Sequence, residues 1–400
     1  MHHRLTLAAA ALLAVPLTAL VTSPAHASVP HCNGRPATIV LRPGETTAHG
    51  TPGPDVIVGN DLADQIDGRG GQDVICGRNG DDRLAGGRGA DQLLGDGGGD
   101  VLVGGRGPDL LVGGRSSGLP PNTLAGGSGN DVLRPFNRDR LGFVPEGLAD
   151  SGAPVVVDLR SGTATGQGHD VIHLRSHGGL GVEVPAGSVV HGTPHADVLW
   201  GADSTFFGEG GDDDIAAPGS VVHGNAGNDS ISSSLDSDTR PTRLASGGRG
   251  ADLVHEVQVP LDAEMAVDGG RGHDSLELEA DQAVGQTTPY PVLDLDLSGH
   301  LSTADHTDSV TGFEDVAMGV AAGVADQIHV EGTDGADDIR ASGGQVPVTV
   351  LALGGDDRVE TGAGDDHVDG GDGTDTALTG GGQDTCVSVE QPTDCETVTP

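Results

Sequence analysis

Large aliphatic residues recur along this chain at an interval that belongs to neither a helix nor an ordinary strand. Ile57, Ile66, Ile75, Leu84, Leu93, Leu102 and Leu111 stand nine residues apart without a slip, and each follows an aspartate by two: Asp55, Asp64, Asp73, Asp82, Asp91, Asp100 and Asp109. Nine is not a multiple of 3.6, and each intervening glycine would cost a helix about 1 kcal/mol against alanine. The pattern predicts instead a short strand around each aliphatic, which alone points inward, followed by a tight glycine-rich turn. Two nonapeptides then make one 18-residue coil, and stacked coils set each aliphatic on its counterpart in a thin ladder. The expected fold is all-β, a parallel β-roll or β-helix solenoid.

The unit is well preserved in Gly86-Gly87-Arg88-Gly89-Ala90-Asp91-Gln92-Leu93-Leu94, which fits G-G-x-G-x-D-x-U-x with U a large aliphatic. Residues 113–125 carry a four-residue insertion, with Asn122 in the aspartate position and Leu124 at U. Residues 126–134, with Asp131 and Leu133, close the block. Clean repeats return at Asp357, Asp366, Asp375 and Asp384, again nine apart. Between the blocks stand imperfect copies around Asp197, Asp213, Asp229, Asp252, Asp274 and Asp337, whose irregular spacing calls for loops or kinks between coils. Residues 155–164 and 292–303 share Asp-Leu near Ser-Gly with alternating aliphatics and read as strands. The organisation expected is a signal peptide over 1–27, a cap over 28–49, a roll over 50–134, and a linker with a β segment over 135–191. An imperfect repeat region over 192–277, a β segment over 278–331 and a C-terminal repeat block with its cap over 332–400 follow. The solenoid is thus expected in two or three blocks joined by irregular β segments.

Composition changes the picture by removing the usual core. There are 69 Gly, 60 Asp plus Glu against 20 basic residues, all Arg, and only 2% aromatics, for a net charge of −40. A large conventional core is excluded, and either disorder or a regular structure with a neutralising partner remains. The strict period decides for the second. Such a charge repels nucleic acid and anionic lipid and attracts cations.

Stacking places like-numbered aspartates about 4.8 Å apart in backbone spacing. Two carboxylates at that distance repel by roughly 1 kcal/mol in bulk water and several at a protein surface. A hard divalent cation between turns reverses the sign, because Ca²⁺ takes six to eight oxygens and can draw on carboxylates and glycine-flanked carbonyls alike. Mg²⁺ fits less well, since it retains water and demands a stricter octahedron. The alternative, that each aspartate merely ends a turn, sits poorly with seven unbroken periods.

These nonapeptides resemble the repeats-in-toxin, or hemolysin-type, calcium-binding family, most closely over residues 50–134. The resemblance implies Ca²⁺ between turns one coil apart, on the position-six aspartate and backbone carbonyls. It implies five sandwiched pairs here: Asp55 with Asp73, Asp64 with Asp82, Asp73 with Asp91, Asp82 with Asp100, and Asp91 with Asp109. Two more fall near the end, Asp357 with Asp375 and Asp366 with Asp384, and Asp131 joins the candidate ligands. Ligation by the central aspartates is left open.

The N-terminus reads as a secretory signal, with His2, His3 and Arg4 before an apolar run from Leu5 to Leu20 and a small-x-small site at Ala25-His26-Ala27. No later segment is long and apolar enough to span a membrane. Four cysteines in an exported chain suggest disulfides, and three connectivities exist. Cys32 with Cys76 and Cys386 with Cys395 is the favoured pairing, since each bridge would staple a terminal coil.

Enzyme motifs are weak. Gly114-Arg115-Ser116-Ser117-Gly118 matches G-x-S-x-G but lies in a repeat insertion without the strand-to-helix context of a nucleophile elbow. His255-Glu256 lacks the second histidine of a zincin. Asp294-Leu295-Asp296 opens like an EF-hand loop, with Asp305 at its far end, yet its alternating leucines favour an exposed strand. The 17 histidines are scattered. In the resembling family such repeats often follow a separate catalytic domain, and residues 28–49 are too few for one. A calcium-dependent polysaccharide lyase would need a base and a sugar platform, and the chain offers no Lys, one Tyr (Tyr290) and one Trp (Trp200). No catalytic residue is assigned. The expectation is an extracellular, non-enzymatic protein whose folding Ca²⁺ drives, with an adhesin or matrix protein contacting cells or glycans as the alternative.

Overall fold

The structure is a computed structural model that describes residues 29–115, 120–136, 138–143, 153–174, 179–233, 242–260, 265–281, 289–290, 292–303, 307–321 and 323–399. The expected signal segment therefore lies outside the described residues, as do Ser116, Ser117 and Gly118 of the G-x-S-x-G match and Asp305 of the EF-hand match. About half of the chain is strand, the described residues contain no helix, and the strands form a parallel β-solenoid.

Two ladders of short strands run the length of the solenoid and share one core. The first starts at Thr47–His49 and proceeds by parallel pairing to Gln391–Thr393, the second starts at Ile39–Val40 and ends at Thr397–Thr399. Successive coils are in register at the inward residue: Ile57 lies beside Ile75, which lies beside Leu93, and Leu84 beside Leu102. Every one of these side chains is fully buried. A single aliphatic per strand therefore suffices, because its neighbours above and below are in the same ladder rather than in another layer.

The coils have 18 residues in the first block and over most of the last, shortening to 15 and 12 at the C-terminal end, and 16 in the centre. Leu199, Ile215 and Ile231 are consecutive rungs of one ladder, and Val190, Phe206 and Val222 of the other. Longer spacings are absorbed outside the ladder. Leu111 stacks on Leu133 and Leu102 on Leu124, so the insertion before Leu124 leaves the register untouched. Within the stretch expected as a linker, Arg140–Gly142 is itself a rung, with Leu141 beside Leu124 and Val182.

The two β segments are strands, and each adds an antiparallel meander to the second ladder. Val156–Asp158, Thr163–Thr165 and His169–Ile172 run up, down and up. The last pairs parallel to Val132–Arg134 and the first to Val189–His191. Leu293–Asp296, His300–Ser302 and Thr307–Thr311 repeat the arrangement between Ala266–Arg271 and Ile328–Glu331. The solenoid is thus continuous through both segments.

Disulfides join Cys32 to Cys76 and Cys386 to Cys395, with Cα atoms 5.7 and 6.0 Å apart. The first ties the hairpin His31–Cys32 and Arg35–Pro36 to the strand Val74–Asn79, and the second ties the inward Cys386 to the end of the last coil.

Candidate metal centre

Each inward aliphatic fixes the residue two before it at the mouth of a turn, and that residue builds a column along each ladder. Along the second ladder the backbone N–H of Asp55 donates to Oδ1 of Asp73. Asp73 donates in the same way to Asp91, Asp91 to Asp109 and Asp109 to Asp131, all at 2.8 Å, and Asp131 to Asp170 at 2.9 Å. Along the first, Asp64 donates to Asp82, Asp82 to Asp100, Asp100 to Asn122 and Asn122 to Asp139. The 18-residue partners expected from the period are thus brought together, through a backbone donor on one coil and a carboxylate on the next.

The second oxygen of most of these carboxylates meets no donor. Oδ2 of Asp73, Asp82, Asp91, Asp100, Asp109, Asp131, Asp357, Asp375 and Asp384 is buried and unpartnered. Leaving such an oxygen unsatisfied costs about 1–3 kcal/mol, more when it is charged. The exceptions share a cause. The Thr51 N–H reaches Oδ2 of Asp55 at 2.6 Å, the Asn60 N–H that of Asp64 at 2.7 Å, and the Thr361 hydroxyl that of Asp366 at 2.7 Å. These three open their runs, and their own turns cap them.

Glycine makes room for the oxygens. A Cβ at Gly86 would lie 2.6 Å from Oδ2 of Asp91 and 2.7 Å from the carbonyl oxygen of Gly104 on the next coil. The absent side chain therefore leaves a cradle with a carboxylate oxygen and a carbonyl oxygen of adjacent coils on its walls. The following residue is left-handed, at φ +101° in Gly87 and +86° in Arg78, which explains why glycine is preferred there though not obligatory.

Burial and mutual repulsion disturb the ionisation of these groups. Burial, helped by the charges of Asp131 and Asp91 against the bond from the Asp91 N–H, pushes Asp109 up to about 8. Asp82 is pushed up to about 7, and Asp73, Asp100, Asp131 and Asp357 to about 6, burial being the largest cause in each. Asp55 moves the other way: burial would raise it, but the bonds from Thr51 and Thr38 hold it below the usual carboxylate range.

Among the described residues no three histidine, cysteine or acidic side chains converge on one point. Any cation must therefore take carbonyl oxygens alongside the carboxylates. An all-oxygen donor set with negative charge, unsatisfied oxygens and carbonyls bared by glycine fits Ca²⁺ and offers nothing to a softer metal.

The columns extend further than the nonapeptide period shows. Asp197, Asp213, Asp229, Asp252 and Asp274 form one run by the same N–H to Oδ1 bonds, which ends on Glu314. Asp337 donates to Asp357, Asp357 to Asp375 and Asp375 to Glu390. Asp366 donates to Asp384 and Asp384 to Glu396. Asp139, Asp170, Glu314, Glu390 and Glu396 were not among the expected members, nor was Asp308, whose Oδ1 takes the Met265 N–H at 2.9 Å. The signal for most of them is an acid two residues before an aliphatic, as in Asp139-Arg140-Leu141, with no glycines ahead of it.

The fold and its columns define a class: a parallel β-solenoid with buried acidic side chains repeated at its turns. The RTX calcium-binding nonapeptide repeat model (4 copies) matches residues 49–84, 77–111, 121–134, 220–239 and 351–386, so these segments of the chain carry that repeat. No curated protein matches it. The matched segments are those in which unpaired carboxylates alternate on both ladders, together with part of the central run.

Proposed function

We propose that this is an exported, non-enzymatic protein whose solenoid forms when Ca²⁺ enters the two aspartate columns. The observation that carries this reading is the row of buried, unpartnered Oδ2 atoms, of which those of Asp73, Asp82, Asp91, Asp100 and Asp109 share a glycine cradle with a glycine carbonyl of the next coil. Asp73, Asp82, Asp91, Asp100, Asp109 and Asp131 would hold cations in the first block, and Asp357, Asp375 and Asp384 in the last. Asp64 would contribute with its donor-free Oδ1, and Asp55 and Asp366, which accept from Thr38 and Val348 at Oδ1 as well, would share an oxygen with those donors. The ions supply positive charge and coordination; the chain supplies carboxylates held in register by backbone bonds. Every described strand from Ile39–Val40 to Thr397–Thr399 belongs to one of the two ladders, which supports a structural rather than catalytic role. Two disulfides suit an oxidising compartment. Among the described residues no helix is long and apolar enough to cross a membrane.

Extracellular calcium modules work at a Kd of about 0.1–1 mM. At ten times Kd each site adds about 1.4 kcal/mol to folding. Seven sites would add on the order of 10 kcal/mol, as much as a whole domain's stability. Circular dichroism should show parallel β structure in millimolar Ca²⁺ and its loss in chelator, and superimposable spectra would exclude the reading.

A further inference from the structure

The centre of the solenoid treats its two columns differently. On the first ladder the aspartates continue: Asp213 and Asp229 are each 2% exposed, bonded at Oδ1 by the preceding coil, and unpartnered at Oδ2. On the second ladder the same position, two before the inward Val190, Phe206 and Val222, holds Ser188, Ser204 and Ser220. These serines reproduce the backbone geometry of the aspartates. The Val155 N–H donates to Oγ of Ser188 at 3.0 Å, the Ser188 N–H to Oγ of Ser204 at 3.1 Å, and the Ser204 N–H to Oγ of Ser220 at 3.0 Å.

The difference is what remains once that bond is made. An aspartate has a charged oxygen left over, whereas a serine has a proton left over. The Ser188 hydroxyl donates to the Pro185 carbonyl at 2.6 Å, that of Ser204 to the Ala202 carbonyl at 2.9 Å, and that of Ser220 to the Pro218 carbonyl at 3.3 Å. All three serines are buried, at 1%, 5% and 1% exposure. The turns that carry them are shorter. Seven residues separate Leu199 from Phe206 and Ile215 from Val222, against nine from Phe206 to Ile215 and from Val222 to Ile231.

We propose that the central coils are one-sided: calcium binds along Asp197, Asp213 and Asp229, while the Ser188, Ser204 and Ser220 column is closed by its own hydrogen bonds and needs no ion. The inference rests on the calcium reading and divides it in space. A terminal coil must neutralise two columns and a central coil one, so the centre holds its structure at lower free calcium and forms the segment on which the ends order.

Hydrogen exchange of the full-length protein, followed by mass spectrometry across a series of buffered free-calcium concentrations, tests this. Peptides within 188–232 should become protected at a midpoint about threefold or more below those within 55–111. Ser204→Ala should raise the central midpoint towards the terminal one without changing the calcium bound per chain, and Ser204→Thr, which keeps the hydroxyl, should restore it. Asp213→Asn should lower the calcium bound per chain. A central midpoint equal to or above the terminal one, or a central midpoint unmoved by Ser204→Ala, overturns the inference while leaving the calcium reading intact. Terminal peptides indifferent to calcium overturn both.

Discussion

The backbone N–H of Asp91 donates to Oδ1 of Asp109 across 2.8 Å and one coil of the solenoid, while Oδ2 of Asp109 is buried and meets no donor. The same bond holds the coils in register and leaves a charge that the protein itself does not satisfy. Stability of the roll is thereby tied to whatever supplies positive charge at that oxygen.

Replacing Asp109 with asparagine keeps the acceptor for the Asp91 N–H and removes the charge. The chain already carries this substitution naturally at Asn122, whose Nδ2 turns to Oδ2 of Asp139 at 3.3 Å. Asp109→Asn should lower stability in saturating calcium by about 1–3 kcal/mol. It should also lower the number of ions bound, as counted by equilibrium dialysis. An unchanged ion count would show that Asp109 is no ligand.

Acidity should act with opposite sign on the calcium-free and calcium-loaded protein. Asp109 and Asp213 are pushed up to about 8, Asp82 to about 7 and Asp73, Asp100 and Asp131 to about 6, against about 3.9 for an unfolded aspartate. Raised values mean that the calcium-free fold binds protons more tightly than the unfolded chain. That stabilisation is complete below about pH 4 and disappears as pH rises through 6 to 8. The melting temperature of calcium-free protein should fall over that range. Calcium competes for the same oxygens, so its apparent affinity should climb over it. A calcium-free melting temperature that does not vary between pH 4 and 8 would contradict both.

The cradle can be tested without touching a carboxylate. Gly86→Ala places a methyl where Oδ2 of Asp91 and the Gly104 carbonyl face each other, at a position whose φ lies outside the left-handed region. Calcium affinity should fall several-fold, with a smaller change in the stability of the calcium-free, acid-stabilised state. Equal losses in the two states would point to simple backbone crowding.

Core and staple can be separated from metal. Leu93 is fully buried between Ile75 and Leu111, and Leu93→Ala should cost about 2–5 kcal/mol in chemical denaturation at saturating calcium. The Cys32–Cys76 bridge closes 44 residues, and removing it as the double serine variant should cost up to about 4 kcal/mol by loop entropy. The loss should be confined to exchange protection of the first coils, and protection lost evenly along the solenoid would argue against a terminal staple.

What the sequence determined by itself was the coil. A nine-residue spacing of Asp-x-aliphatic, with glycine where the chain must turn left-handed, forces short strands, one inward side chain each, and an aspartate at a fixed place in every turn. All of that is local to a few neighbouring repeats, and it is legible in the unbroken run from Asp55 to Leu111. The tertiary structure decided what joins the coils. Asp131 bonds Asp170 across an intervening rung and an antiparallel meander, and Asp274 bonds Glu314 forty residues on, because parallel pairing matches rungs in space and lets any extra chain leave the ladder. It also decided that Thr51, Asn60 and Thr361 cap the first carboxylates of their runs, and that Ser188, Ser204 and Ser220 stand where aspartates stood. Those choices depend on which side chain lies one coil above, and sequence spacing shows that only while the period holds.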